Sequence, residues 1–338
     1  MAEVELQGVT KRFGKITAVD NVSLTVPDGA FVVLLGPTGA GKTTMLRLVA
    51  GLERPEEGKI VIGGRDATRE SPVGRDVAMV FQQYSLYPHM TVRENLSFPL
   101  KSPARPTPAD EIKRRVEAVA EMLRIPHKLD NRATQLSGGE MQRVSIGRAL
   151  VRLPSIYLMD EPLSSLDAKL RADLRLELSR IQRELGATML YVTHDQIEAM
   201  TMATHVGVLK DGALVQFGPP REIYEDPSSI YVATRLGLPR INIAPLSLFP
   251  ALPAPAGARS VGLRPENIAV AAGGDFAVEG RVGRVEHLGD QTRLHLDVSG
   301  TPIVTLTDPH TDARSGDIVA VAPVAPLFFD GAGSRITA

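Results

Sequence analysis

Phe31-Val32-Val33-Leu34-Leu35-Gly36-Pro37-Thr38-Gly39-Ala40-Gly41-Lys42-Thr43-Thr44-Met45-Leu46-Arg47-Leu48-Val49-Ala50 is the stretch on which the fold turns. Phe31 to Leu35 is an unbroken apolar run of strand length, and Thr43 to Ala50 carries a helical pattern. Between them, Gly36 to Thr43 fits the phosphate-binding P-loop spacing, G-x-x-x-x-G-K-T, in the strand-then-helix context that its mechanism requires. Glycines let backbone N–H groups converge on phosphate oxygens, and the amino end of the helix adds partial positive charge. Gly36, Pro37, Thr38, Gly39, Ala40, Gly41, Lys42, Thr43 and Thr44 are therefore the candidate nucleotide cradle. Lys42 is expected to reach the β- and γ-phosphates, and Thr43 to hold Mg2+.

The same alternation recurs outward from this stretch. Ile156 to Met159 precedes the helical pattern Ala168 to Leu185, and Met189 to Thr193 precedes Gln196 to Ala203. Short buried strands followed by helices indicate an α/β domain with a mainly parallel sheet. Val4 to Val9, Ala18 to Val26 and Lys59 to Ile62 read as extra strands, the last ending in a Gly63-Gly64 turn. Ile156-Tyr157-Leu158-Met159 delivers two adjacent acids, Asp160 and Glu161, at its carboxyl end, where open α/β sheets bind ligands. Alone, such a pair is usually solvated or capping. Beside a P-loop, Asp160 is expected to complete the Mg2+ shell and Glu161 to accept a proton from the attacking water.

The last lysine is Lys210, and the 128 residues after it carry Arg as their only strong base, a shift that marks a second domain. Pro245 to Pro255 is rich in proline and reads as a linker or rim loop. Beyond it, Asn267 to Ala271, Phe276 to Leu288, Thr292 to Val298 and Ile318 to Pro323 alternate apolar and polar residues at strand spacing. That pattern predicts a small β-barrel or sandwich.

Composition narrows the function classes. The chain has no Cys, which excludes disulfides, Cys-ligated zinc and thiol nucleophiles and fits a reducing compartment. Its seven His lack metal-ligand spacing. A net charge of -1 gives no global positive field for nucleic acid or an anionic membrane. No signal pattern opens the sequence and no apolar run is bilayer-sized, so a membrane role would be borrowed from partners.

Leu136-Ser137-Gly138-Gly139-Glu140, shortly before the Asp160-Glu161 strand, resembles the signature motif of the ATP-binding-cassette (ABC) family. The likeness extends through Gln82 of the Q-loop, Ser164-Ser165-Leu166-Asp167 of the D-loop and His194 of the switch loop, and covers about residues 3 to 235. It implies a P-loop ATPase domain over 1–236 with a helical signature subdomain at about 86–150, followed over 237–338 by a small all-β, oligonucleotide-binding-like (TOBE) domain. It also implies ATP hydrolysis with Mg2+ as cofactor, held by Thr43, Gln82 and Asp160. Glu161 is then the base, His194 holds the γ-phosphate, Gln82 links Mg2+ to the transport channel, and Phe13 stacks on adenine. In the family the signature of one subunit closes on the nucleotide of another, so Ser137, Gly138, Gly139 and Glu140 would act in trans, with Asp167 of the D-loop beside them. Glu140 stands where Gln is commoner, a negative acceptor in place of a neutral donor and acceptor. A ribose contact and a side chain turned away are both open to it.

Gln82 to Asn95 resembles the importer form of the region that receives a coupling helix from a membrane subunit, with Tyr84, Leu86, Tyr87 and Met90 suited either to a docking groove or to local packing. The expected partners are a second copy of the chain, two transmembrane permease subunits and, indirectly, a periplasmic or extracellular solute-binding protein. The expected place is the cytoplasmic face of the inner membrane. Val261-Gly262-Leu263-Arg264-Pro265-Glu266 and Gly289-Asp290 resemble the accessory domain of maltose-type carbohydrate importers. Arg264 and Glu266 are open to an interface role or to a local salt bridge. No nucleic acid is expected, because the region after Leu236 has eight Arg against ten acids and no aromatic-and-lysine platform. Carbohydrate or a polyol phosphate leads as solute, with iron, sulfate and polyamine as alternatives. A non-transport ABC ATPase would carry tandem cassettes, a coiled-coil insertion or a basic surface, and none is seen. A module that only senses ATP would not need the whole Lys42, Asp160, Glu161 and His194 set.

Overall fold

The computed structural model describes residues 2–103, 106–271 and 277–337. The chain forms two compact units, Met1–Pro220 and Arg221–Ala338, dividing ahead of the 236/237 boundary expected from the sequence.

The first unit begins with β1 (Val4–Phe13), β2 (Ile16–Val26), β3 (Phe31–Leu35), α1 (Lys42–Ala50), β4 (Glu57–Ile62), β5 (Arg65–Asp66) and β6 (Val77–Val80). A helical stretch follows, with α2 (Val92–Ser97), α3 (Ala109–Met122) and α4 (Gly138–Leu150) joined by short 3-10 turns. The chain then alternates β7 (Ile156–Asp160), α5 (Ala168–Leu185), β8 (Met189–Thr193), α6 (Gln196–Met202), β9 (His205–Lys210) and β10 (Ala213–Gly218).

Two sheets result. One is antiparallel, in the order β2-β1-β4-β5. The other runs β10-β9-β3-β8-β7-β6, parallel except at β10. Every residue of β3, β7 and β8 is buried, as a parallel sheet covered on both faces requires. The P-loop strand thus lies between β8 and β9, and β8 joins it to the strand bearing Asp160.

Arg75 fixes the other end of α1. It is fully buried and donates through Nη1 to the Leu48 and Val49 carbonyls, at 2.5 and 2.9 Å, satisfying oxygens that the helix end leaves open.

The second unit opens with α7, whose helical span Pro220–Glu225 starts at the boundary residue, and α8 (Ile230–Ala233). Its strands are β11 (Asn242–Pro245), β12 (Ser260–Leu263), β13 (Ile268–Ala271), β14 (Val278–His287), β15 (Thr292–Val298), β16 (Thr301–Thr307), β17 (Ile318–Pro323), β18 (Leu327–Phe329) and β19 (Arg335–Ile336). They form sheets ordered β11-β12-β18-β19 and β13-β17-β14-β15-β16 around a core that includes Val261, Leu263, Val282, Leu294, Leu296 and Val321. Phe276, the expected start of a strand, lies outside the described residues.

Pro245 to Pro255 is not a linker. Phe249 and Leu252 are buried in the core of this unit, so the prolines shape a packed loop. Arg264 is also settled differently from an interface. It is 2% exposed, donates to the carbonyls of Ala233, Leu236 and Tyr224, and lies 3.8 Å over the Tyr224 ring. Glu266 accepts from the Tyr224 hydroxyl. These bonds gather α7, α8 and the segment after them onto the β unit, which is why the boundary falls early.

Candidate active site

The site assembles at the carboxyl ends of β3, β7 and β8. Gly41, immediately before α1, has φ 95°, and a Cβ there would stand 2.3 Å from the Ala18 carbonyl oxygen, so only glycine fits. This lets the backbone turn sharply into α1 and aims its first N–H groups at the loop's concavity. Lys42 is 5% exposed, and its ammonium donates to the carbonyls of Gly36 at 2.9 Å and Pro37 at 3.1 Å. Glu161 Oε1 lies 3.5 Å from the same ammonium.

Thr43 Oγ1 donates to Asp160 Oδ1 at 2.8 Å, joining the first turn of α1 to the end of β7. Burial pushes the Asp160 carboxyl up, against the Thr43 hydrogen bond, and the neighbouring Glu161 charge adds to the rise. A hard cation there would compensate that desolvated carboxylate. Among the described residues no cluster of three or more His, Cys, Asp or Glu forms a protein-only metal cage. A hydroxyl and one carboxylate suit Mg2+, which keeps waters and takes substrate phosphate oxygens as its remaining ligands.

Glu161 follows directly, at φ 43°, a left-handed conformation uncommon for a side chain of this kind. Its amide donates to the Val192 carbonyl, and its own carbonyl accepts from Ser164 N and Oγ. Glu161 Oε2 lies 3.0 Å from His194 Nδ1. One carboxylate therefore stands between a cation and an imidazole at the ends of three adjacent strands, an arrangement fit to take a proton from water.

Supporting residues that the sequence did not single out hold this junction. Arg171 on α5 donates to the carbonyls of Leu163 and Leu166 and lies 3.6 Å from Asp195. Asp195 caps α6 through the Ile197 amide. Beneath it the buried Glu198 accepts from Tyr191 Oη at 2.8 Å. Arg171 with Asp195 and Tyr191 with Glu198 each span separate elements, so no local spacing announces them.

Other candidates lie apart. Gln82 is exposed in the loop after β6 and, among the described residues, makes no hydrogen bond to Thr43 or Asp160. Phe13, at the tip of the β1-β2 hairpin, is 45% exposed, with the Lys11 ammonium 5.0 Å from its ring centroid. Asp167 caps α5, accepting from the Leu170 amide at 3.0 Å. Ser137 caps α4 in a reciprocal box with Glu140, Gly138 and Gly139 forming the first turn. Glu140 is thus turned back onto its own helix. Tyr84 Oη meets Ser165 Oγ at 3.2 Å and lies close to Gly138, where a Cβ would stand 3.3 Å from it.

A groove of about 670 Å3 opens between the helical stretch and the end of β6, lined among others by Leu52, Val73, Phe81, Tyr84, Arg148 and Leu153. Several of these apolar side chains are half exposed or more. Leu86, Tyr87 and Met90 do not line it. Tyr87 packs on Phe98 at 4.5 Å between centroids, under the Arg148 guanidinium. Among the described residues no helix is long and apolar enough to cross a membrane.

Comparison with known proteins bears on the family and the fold. The ABC transporter family matches residues 19–164, and the TOBE domain family residues 261–325. The chain is similar to the sn-glycerol-3-phosphate import ATP-binding protein UgpC of Rhizobium meliloti (strain 1021), 46% identical over 99% of this chain and 100% of that one. It is 47% identical to the protein of the same name in Brucella abortus (strain 2308), over 99% of each. Among solved structures, the ADP conformation of the ATP-binding cassette MJ1267 superposes with a TM-score of 0.61 at 26% identity, covering 69% of this chain and 98% of that one. The dimeric post-hydrolysis state of the cassette MJ0796, bound to ADP and Pi, gives 0.57 at 34% identity, covering 64% and 99%.

Proposed function

The chain belongs to the ABC transporter family as an ATP-binding subunit with a C-terminal TOBE domain, and from that premise we propose that two copies close on ATP to drive import of a polyol phosphate or carbohydrate. It is an ATP-hydrolysing importer subunit. Full-length similarity to glycerol-phosphate import ATPases supports the solute class.

The observation that carries the mechanism is the Glu161 carboxylate, 3.5 Å from the Lys42 ammonium and 3.0 Å from His194 Nδ1. ATP seats its β- and γ-phosphates on the amides of Gly39 to Thr43 and on Lys42. Mg2+, when bound, would supply positive charge against that of the triphosphate. Thr43 and Asp160 would hold it, with Gln82 as the third expected ligand. Glu161 takes the proton of the attacking water, and His194 steadies the γ-phosphate. Ser137 and Gly139 of the second copy cover that phosphate from the other side, the amino end of α4 supplying a second positive helix terminus. Loss of the γ-phosphate removes the bridge and reopens the pair. The groove beside Tyr84 in each of the two copies receives a segment of one of two permease subunits, which keeps the chain at the cytoplasmic face of the membrane.

The test is the mass of the Glu161→Gln variant with and without Mg-ATP, beside its hydrolysis rate. The expected result is an ATP-dependent dimer with hydrolysis reduced about 100-fold or more. A variant that stays monomeric and hydrolyses at the parental rate sinks the reading. Uptake of labelled glycerol phosphate against maltose, in membranes carrying the reconstituted transporter, tests the solute.

A further inference from the structure

Glu140 occupies an awkward position for a subunit whose α4 meets triphosphate. It stands in the first turn, where a neutral side chain is the family's commoner choice, and a carboxylate opposes the incoming phosphates. Both of its oxygens are engaged. Oε2 accepts from the Ser137 amide at 2.8 Å, and Oε1 lies 3.0 Å from the Lys128 ammonium. In return Ser137 Oγ accepts from the Glu140 amide at 3.4 Å. The hydroxyl accepts from the Glu140 amide and also bonds to the Glu140 carboxylate, so the two side chains close on each other at the start of α4.

Lys128 comes from a different part of the helical stretch, the 3-10 turn Pro126–Lys128. Both partners are about a quarter exposed, 27% for Lys128 and 25% for Glu140. The pair is therefore half screened by protein, and a charge left unpaired there is felt by an anion arriving at the helix end. Partial burial pushes the Glu140 carboxyl up, but the Ser137 amide and hydroxyl and Lys128 outweigh it and hold the carboxyl below its ordinary range. In the single chain it is a charged group at neutral pH.

We propose that Lys128 is a positioning residue of the shared ATP site: its ammonium cancels the Glu140 charge and holds that side chain in the capping box, so that Ser137 and Gly139 meet the partner's γ-phosphate at an attractive surface. This rests on the two-copy reading above. Lys128 itself does not touch ATP. It acts through Glu140, and its importance disappears once position 140 is neutral.

That dependence is the test. In the Glu161→Gln background, the Mg-ATP concentration giving half-maximal dimer is measured for the parent, Lys128→Ala, Glu140→Gln and the Lys128→Ala/Glu140→Gln pair. Lys128→Ala is expected to raise it about threefold or more, a typical reach for one partly exposed pair. The double variant is expected to match Glu140→Gln alone. A Lys128→Ala variant that dimerises as readily as the parent overturns the proposal. So does a double variant as impaired as Lys128→Ala, since that result means direct phosphate contact or a general structural role. If Lys128→Ala melts below the assay temperature, Lys128→Met, which keeps the aliphatic stem, is judged by the same two criteria. A parent that fails to dimerise with Mg-ATP sinks the two-copy reading itself, whereas a dimerising parent indifferent to Lys128 sinks this inference alone.

Discussion

Glu161 holds its functional carboxylate on a backbone that few residues adopt, at φ 43°. A left-handed residue with a Cβ costs about 1 to 2 kcal/mol relative to the ordinary regions. Glu161→Gly is therefore expected to be more stable than Glu161→Ala by about 1 kcal/mol, read from urea midpoints, with both inactive. Equal midpoints would mean that the turn stores no strain. Four positions beyond His194, Glu198 offers a pH signature. Burial, ahead of the opposing hydrogen bonds from Thr193 and Tyr191, holds its carboxyl above the ordinary 4.5, with Asp195 adding to the rise and Arg171 opposing it. The folded carboxyl binds its proton more tightly than the unfolded one, so its contribution is complete below about pH 4.5 and is lost as pH rises through the raised value. Glu198→Gln is expected to gain stability relative to the parent between pH 5 and pH 8. An unchanged difference across that range would show that Glu198 titrates alike in both states.

Between elements, α4 and α5 approach closely in the site region. A Cβ on Gly139 would stand 2.3 Å from Leu170 Cδ2, so the signature helix and the helix after the D-loop meet where one side chain is missing. Gly139→Ala is expected to cost about 1 to 3 kcal/mol and to slow hydrolysis. Adding Leu170→Ala should recover most of both losses; failure to do so would locate the damage in the backbone of Gly139. This contact, like Arg171 with Asp195 or Lys128 with Glu140, was not legible in the sequence, because side chains from separate elements obey no local period. The strands were legible in proportion to their burial. Phe31–Leu35 is apolar throughout, Ile156–Asp160 and Met189–Thr193 are buried runs with a polar residue only at the carboxyl end, and the glycines of the loop demanded their turn. The antiparallel edge strand Ala213–Gly218 is only partly buried, ends on glycine, and carries no such run. Proline density at Pro245–Pro255 masked two core residues, Phe249 and Leu252, because composition says where a chain bends and not what it covers.

At the scale of the whole molecule, half of each active site is expected to arrive from another copy. Hydrogen exchange separates the two contributions. Amides of Gly39 to Thr43 should slow with Mg-ATP at any protein concentration in the Glu161→Gln variant, whereas those of Gly139 to Met141 should slow only where the mass doubles. Protection of both sets in a dilute monomer would contradict closure between copies. The family was legible through the resemblance carried by the P-loop, signature and D-loop, each a short continuous stretch, and a second domain through the loss of lysine and the strand alternation after it. The pairing order of the sheet was not, and it has a consequence in time. The strand that leads into the P-loop, Phe31–Leu35, finds its neighbours only in Met189–Thr193 and His205–Lys210. A ribosome adding about 5 to 20 residues per second delivers the first of these about 8 to 30 s after Leu35. Through that interval five apolar residues wait without their sheet, and the newborn chain cannot split ATP before it can shelter them.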